Sequence, residues 1–127
     1  MDAQQEFFTA LKLALEEKGY AVYDGALPPD NTPYPFIYLG EFRQTDTERK
    51  NAITGTVYPM IHVWHNDCRK RGTVSAMLLD IKTVCRNLVH TANFAWLVRN
   101  VTSRIMADNT TKTPLLHGVV EAECLFS

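Results

Sequence analysis

The sequence predicts an α+β domain: a mainly antiparallel four-stranded sheet with two helices packed on one face. Three observations predict it. Two stretches place apolar residues three and four positions apart, as a helix with one buried face does. Four other stretches are rich in β-branched and aromatic residues, most with period-two alternation. Their order is helix–strand–strand–helix–strand–strand, which segregates helices from an antiparallel sheet. The chain has 127 residues, read here as a single domain, 1–127, long enough to bury one core without staples.

The first helix is predicted over residues 3–18. Phe7, Leu11 and Leu15 recur every four residues, and Phe8 and Ala14 widen the stripe. Asp2, with Gln5 three residues on, reads as its N-cap, and Gly19 as its left-handed C-terminal stop. Glu16, Glu17 and Lys18 form a solvated rim.

A stiff connection follows. Four of the six prolines fall within eight residues, Pro28, Pro29, Pro33 and Pro35. Proline fixes φ and drives the preceding residue extended, so the segment is rigid. The Tyr34-Pro35 bond is open to either isomer. Asp24-Gly25 reads as a turn rather than a carboxylate site.

Residues 36–43 make the first predicted strand. Phe36 and Tyr38 lie on one face and Ile37 and Leu39 on the other, so both faces need cover. Residues 43–55 are polar with five charges, a mobile loop or the tip of a projecting hairpin. Residues 56–65 make the next strand, with Val57, Ile61 and Val63 opposed to Tyr58, Met60, His62 and Trp64. Pro59 removes one ladder donor and argues for a sheet edge or a bulge.

The second helix is predicted over 73–89, with Thr73 as cap. Its stripe is Val74, Met77, Leu78, Ile81, Val84, Cys85 and Leu88. Two strands close the chain. In 96–106, Trp96 and Val98 oppose Leu97, Val101 and Ile105. After the turn 107–112, residues 115–126 set Leu116, Gly118, Val120, Ala122 and Cys124 against His117, Val119, Glu121 and Glu123. The helices cover one sheet face. The other keeps a surplus of apolar side chains, and a second subunit is its expected cover.

The chemistry-bearing residues point away from catalysis. Net charge is −1 and the apolar runs are short, so no bulk field favours nucleic acid and no stretch spans a membrane. The start Met1-Asp2-Ala3-Gln4-Gln5-Glu6 lacks the basic-then-apolar pattern of a secretory signal. Three cysteines, Cys68, Cys85 and Cys124, read as free thiols in a reducing cytosol. His62 and His65 point to opposite faces of a strand, and with Cys68 they lack the second ligand pair of a structural zinc site. The reading preferred is a half-buried His62 and an exposed His65.

Ser75 and Ser103 sit in no nucleophile elbow. Cys85 lies on an apolar stripe, and Cys68, beside Arg69, Lys70 and Arg71, has no partner base. Asp80 lies off its helix stripe. Glu121 and Glu123 share a strand face that reads as solvated or as meeting cations from a neighbour. No glycine-rich phosphate loop is present, and three consecutive basic residues are too few for a nucleic-acid footprint. Trp64, Trp96 and the tyrosines read as core and rim anchors rather than stacking platforms. Catalytic, cofactor and metal sites are therefore expected to be none.

One ordered series of residues carries a resemblance. A helix leads to Val22-Tyr23-Asp24-Gly25. Then come Pro28-Pro29, Tyr34-Pro35-Phe36-Ile37-Tyr38-Leu39-Gly40, the strand end Ile61-His62-Val63-Trp64, a long helix, and His117-Gly118-Val119-Val120. The series resembles the small tail-completion, or tail-terminator, proteins of long-tailed phages and prophages. The resemblance implies a non-enzymatic virion protein that forms a ring, commonly of six copies, on the head-proximal end of the tail tube. It implies as partners further copies of the chain, the major tail tube protein and a head-completion or connector protein. DNA would pass through the ring without specific binding, in keeping with the slight acidity. The expected location is the head–tail junction of the virion, after assembly in the bacterial cytoplasm.

The charged 43–55 segment departs from the pattern. Arg43, Arg49, Lys50 and Ile53 within it, with Glu121 and Glu123, are the candidate interface residues. A small α+β adaptor binding RNA or protein is the alternative, and an enzyme with its site across a subunit interface is a third reading.

Overall fold

The computed structural model describes residues 2–50 and 52–127; Asn51, inside the polar segment, lies outside the described residues. Its elements are α1 (Ala3–Glu17), β1 (Val22–Asp24), β2 (Phe36–Glu48), β3 (Ile53–His65), α2 (Arg71–Asn87), β4 (Trp96–Asp108) and β5 (Leu115–Phe126). The strands form one sheet in the order β1-β2-β3-β5-β4. The α+β class stands, but the sheet has five strands rather than four and is mixed.

The added strand is β1. It has only three residues and pairs parallel with β2, Val22 opposite Ile37 and Asp24 opposite Leu39. A parallel pair cannot be joined by a tight turn and needs a long crossover. The proline-rich connection, 25–35, is that crossover, and its Tyr34-Pro35 bond is cis.

α1 begins as expected, with the Asp2 carboxylate accepting from the Gln5 N–H at 3.2 Å. Gly19 ends it at φ +95°, while Gly19 N–H donates to the Glu16 carbonyl at 2.9 Å. α2 starts two residues earlier than expected. Its cap is Lys70, with no side-chain cap bond, so Thr73 lies inside the helix and not at its cap. The apolar stripe rather than the cap holds this helix in place. Val74, Met77, Leu78, Ile81, Val84 and Cys85 are all buried.

The core lies between the helices and one sheet face. Phe7, Leu11, Leu15, Ile37, Val57, Ile61, Val63, Ile81 and Val120 have no exposed surface. Each such side chain stabilises the fold by roughly 1.5–3 kcal/mol relative to exposure. Gly118 lets α2 approach closely, since a Cβ there would stand 2.9 Å from Val74 Cγ1 and 3.0 Å from Leu78 Cδ2.

Two irregularities set which side chains face where. In β4 the register shifts between Arg99 and Thr102, and Asn100 sits at φ +53°. Asparagine tolerates that left-handed conformation. The extra residue turns Val101 and Ile105 to the core, where they join Trp96 and Val98. The expected opposition of Val101 and Ile105 to Trp96 and Val98 is thereby corrected; Leu97 alone of the five stays outward, 62% exposed. In β2 the register shifts between Leu39 and Phe42, and Phe42 comes opposite Pro59. β3 is thus a central strand, so Pro59 belongs to a bulged region and not to an edge. The ladder to β5 skips it, from Val57 opposite Cys124 to Met60 opposite Glu121.

The polar segment is an arm, not a loop. β2 and β3 stay paired through Thr47 opposite Thr54 and Glu48 opposite Ile53, whereas β5 ends opposite Gly55. Arg49 N–H closes the tip on the Ala52 carbonyl at 2.8 Å. Four threonines, Thr45, Thr47, Thr54 and Thr56, pair across its two strands. Cross-strand β-branched pairs of this kind stabilise a ribbon despite its charge.

Candidate functional site

The sheet face that the helices leave open divides into two parts. Toward the chain-reversal end it is aromatic. Trp64 and His117, direct cross-strand partners, stack at 3.8 Å with planes 6° apart. His117 stacks in turn on His62 at 4.9 Å, and Tyr38 stands 6.2 Å beyond. His62 Nδ1 and His117 Nε2 are 2.7 Å apart, a hydrogen bond in which one ring donates and the other accepts. The His62 ring occupies the space a side chain would take at Gly40, where a Cβ would lie 2.6 Å from its Nε2.

The protein partly covers this end itself. The connection 25–35 and the turn before β5 flank Trp64, Tyr38 and Phe36 and shield them in part, forming with them an open groove of about 360 Å³. Tyr38 Oη donates to the Gly25 carbonyl. Phe36 and Val119 are buried, 7% and 2% exposed. The expectation of a bare apolar face is corrected here: among the described residues, Leu97 is the large hydrophobic of these strands' open face that remains exposed.

Toward the arm the same face is polar. A groove of about 460 Å³ runs past Glu41, Arg43, Tyr58, Asn100, Glu121 and Glu123. The Arg43 guanidinium lies 4.0 Å from the Tyr58 ring centre, a cation–π contact between cross-strand partners. Glu121 and Glu123 do meet cations, but from their own chain. Arg104 reaches Glu121 at 3.4 Å and Arg99 reaches Glu123 at 3.3 Å. Hydrogen bonds from Asn100 and Arg99 hold the Glu123 carboxyl below its ordinary range. Of the other candidates, Arg49 donates weakly to Thr54 Oγ1 at 3.4 Å, Lys50 is exposed, and Ile53 is 58% exposed at the tip. Arg43, Glu121 and Glu123 therefore share the groove, while Arg49, Lys50 and Ile53 share the tip.

Other chemistry-bearing residues have structural partners. Asp80 accepts from Tyr20 Oη, tying α2 to the end of α1. His65 is half-buried rather than exposed and accepts from the Asp67 N–H at 3.3 Å. Burial pushes the Cys85 thiol up to about 12 and raises that of Cys124, so both are inert at neutral pH. Among the described residues no cluster of three or more His, Cys, Asp or Glu can hold a metal, and no helix is long and apolar enough to cross a membrane. The His62–His117 contact escaped the sequence pattern. The two lie 55 positions apart, and the registry that joins them depends on strand order.

No protein-family model and no curated protein matches the chain. Solved structures do. A chain in the virion of a native gene transfer agent particle is 15% identical with a TM-score of 0.65, covering 98% of this chain and 95% of that one. The gp17 protein of bacteriophage SPP1 is 17% identical with a TM-score of 0.59, covering 96% and 89%. At these identities the likeness is one of fold, and it extends over nearly the whole chain.

Proposed function

We propose that this protein is a non-enzymatic structural component of a phage or phage-like virion. In this reading it caps the head-proximal end of the tail tube as a ring, stops tube growth and prepares head attachment. The observation that carries the reading is the end-to-end fold shared with a chain of a gene transfer agent virion and with a phage protein. The arm supports it from within the molecule. Its tip runs past the sheet, so both strands there lack outer partners. A two-stranded ribbon is marginal in water unless something packs on it. In a ring, the contact joins two different patches of successive copies and closes on itself. The exposed tip, Arg49, Lys50 and Ile53, supplies one patch, and the groove at Arg43, Glu121 and Glu123 supplies the other. The partners in this reading are further copies, six to a ring, the tail tube protein and a head-completion or connector protein. DNA passes through without specific contacts, and the protein resides at the head–tail junction.

Replacing residues 47–54 by a two-residue Asn-Gly turn between the paired Asp46 and Gly55 tests the arm's part. Expected is a chain that keeps its helical circular dichroism signal and its thermal stability but no longer associates with tail tubes. Full association after the replacement removes the arm from the interface. A monomer that retains RNA through purification favours a nucleic-acid-binding adaptor instead.

A further inference from the structure

The row Tyr38–His62–His117–Trp64 crosses the open sheet face, and its ends stand beside the connection that the fold needs for its parallel strand. Its two outer members hold that connection. Tyr38 donates to the Gly25 carbonyl, and Trp64 lines the open groove there with Leu27, Pro28 and Pro29. Its two inner members hold each other through one N–H between two imidazole nitrogens 2.7 Å apart. We propose that His62 and His117 form one proton-binding unit that keeps the 25–35 connection seated at neutral pH, and that acid unseats it.

The proton accounting follows from the imidazole. Each neutral ring carries one N–H, so one of the facing nitrogens donates and the other accepts. A first added proton goes to an outer nitrogen and leaves this bond intact, but it places a cation in the row. A second added proton occupies the accepting lone pair and sets two N–H groups against each other. The bond is then lost and the rings repel.

The surroundings decide how readily protons enter. β4 contributes Arg104 and Asp108, β5 contributes Glu121, and the connection contributes Asp30 at the far side of Trp64. Arg104 opposes protonation, and the carboxylates favour it. Glu121 is already engaged by Arg104 at 3.4 Å. Burial, then the neighbouring His62, depress His117 to about 4, and burial also lowers His62. The unit therefore stays neutral at pH 7 and charges only in acid. This inference does not depend on the assembly reading.

Amide hydrogen exchange of the full chain tests it, with rates at pH 7 and pH 4 corrected for intrinsic exchange. Thr32, whose N–H donates to the Pro29 carbonyl at 2.9 Å, reports on the connection. Protection in the wild type is expected to fall by about tenfold or more at pH 4 as a local opening, with the helices still protected. His117→Gln, which leaves only His62 to take up a proton, should show a clearly smaller fall. Unchanged protection in the wild type, or an equal fall in His117→Gln, overturns the proposal. If that variant does not fold, ring-proton NMR titration of the wild type decides. The two rings should titrate as a coupled pair below the ordinary histidine range. Independent titration of each near 6.5 overturns it.

Discussion

The two faces of the sheet solve the same burial problem differently. The helix face is dry and closely packed, with side chains such as Ile61, Val63 and Val120 wholly out of water. The open face is partly covered by a short stiff connection at one end and by paired charges at the other. The first face determines whether the chain folds. The second is free to vary, and its half-buried His62, His117 and Tyr58 and its exposed Arg43 can respond to pH or to a partner. Changes on the two faces should therefore differ in size as well as in kind.

The largest effect is expected for Leu78→Asp. An unpaired charge among Val74, Ile81 and Gly118 costs several kcal/mol, enough to abolish folding. A soluble protein with native circular dichroism would mean that α2 presents another face. Gly118→Ala comes next. Its Cβ would meet Val74 and Leu78 at 2.9–3.2 Å, and overpacking of that kind typically costs ~1–3 kcal/mol. Urea denaturation at neutral pH measures it.

The reach of the sequence divides along the same line. Both helices and the core stripes were legible, because a period of 3.6 is local and the burial of Phe7, Leu11, Val74 and Ile81 follows from it. The arm was half legible: its charges suggested either a loop or a hairpin, and the Thr–Thr pairs that decide the matter appear only once the register is known. β1 was missed because three residues carry no period, and its partner lies across the connection. The bulge at Asn100 was missed for a related reason. One inserted residue reverses the alternation of β4, so Val101 and Ile105 were assigned to the wrong side. Glu121 and Glu123 were read as sharing a strand face, but that Arg43 lines the same groove, and that Arg99 and Arg104 occupy the two carboxylates, follows from strand pairings that periodicity does not specify.

On the open face, pH is the sharper probe. The folded state holds His117 at about 4, whereas an unfolded histidine titrates near its ordinary value of 6.5. Between those values the unfolded chain binds the additional proton, so stability falls as pH drops from 6.5 toward 4. With a half-exposed ring and solvent screening, the loss is on the order of 1 kcal/mol. Thermal unfolding of wild type and His117→Gln across that range checks the sign, and a stability that rises on acidification contradicts it. The smallest effect is expected for Arg99→Ala. The pair with Glu123 is exposed, and such pairs contribute about 0–1 kcal/mol. A loss well above that would show that the polar end of the open face stabilises the fold as the helix face does.

The capping role itself is tested most directly by mixing the full-length protein with purified tail tubes and imaging the ends. Expected are a ring at one end of each tube and tubes that no longer lengthen when more tube protein is added. Bare ends and continued growth, with a chain that stays monomeric by mass photometry, would contradict it.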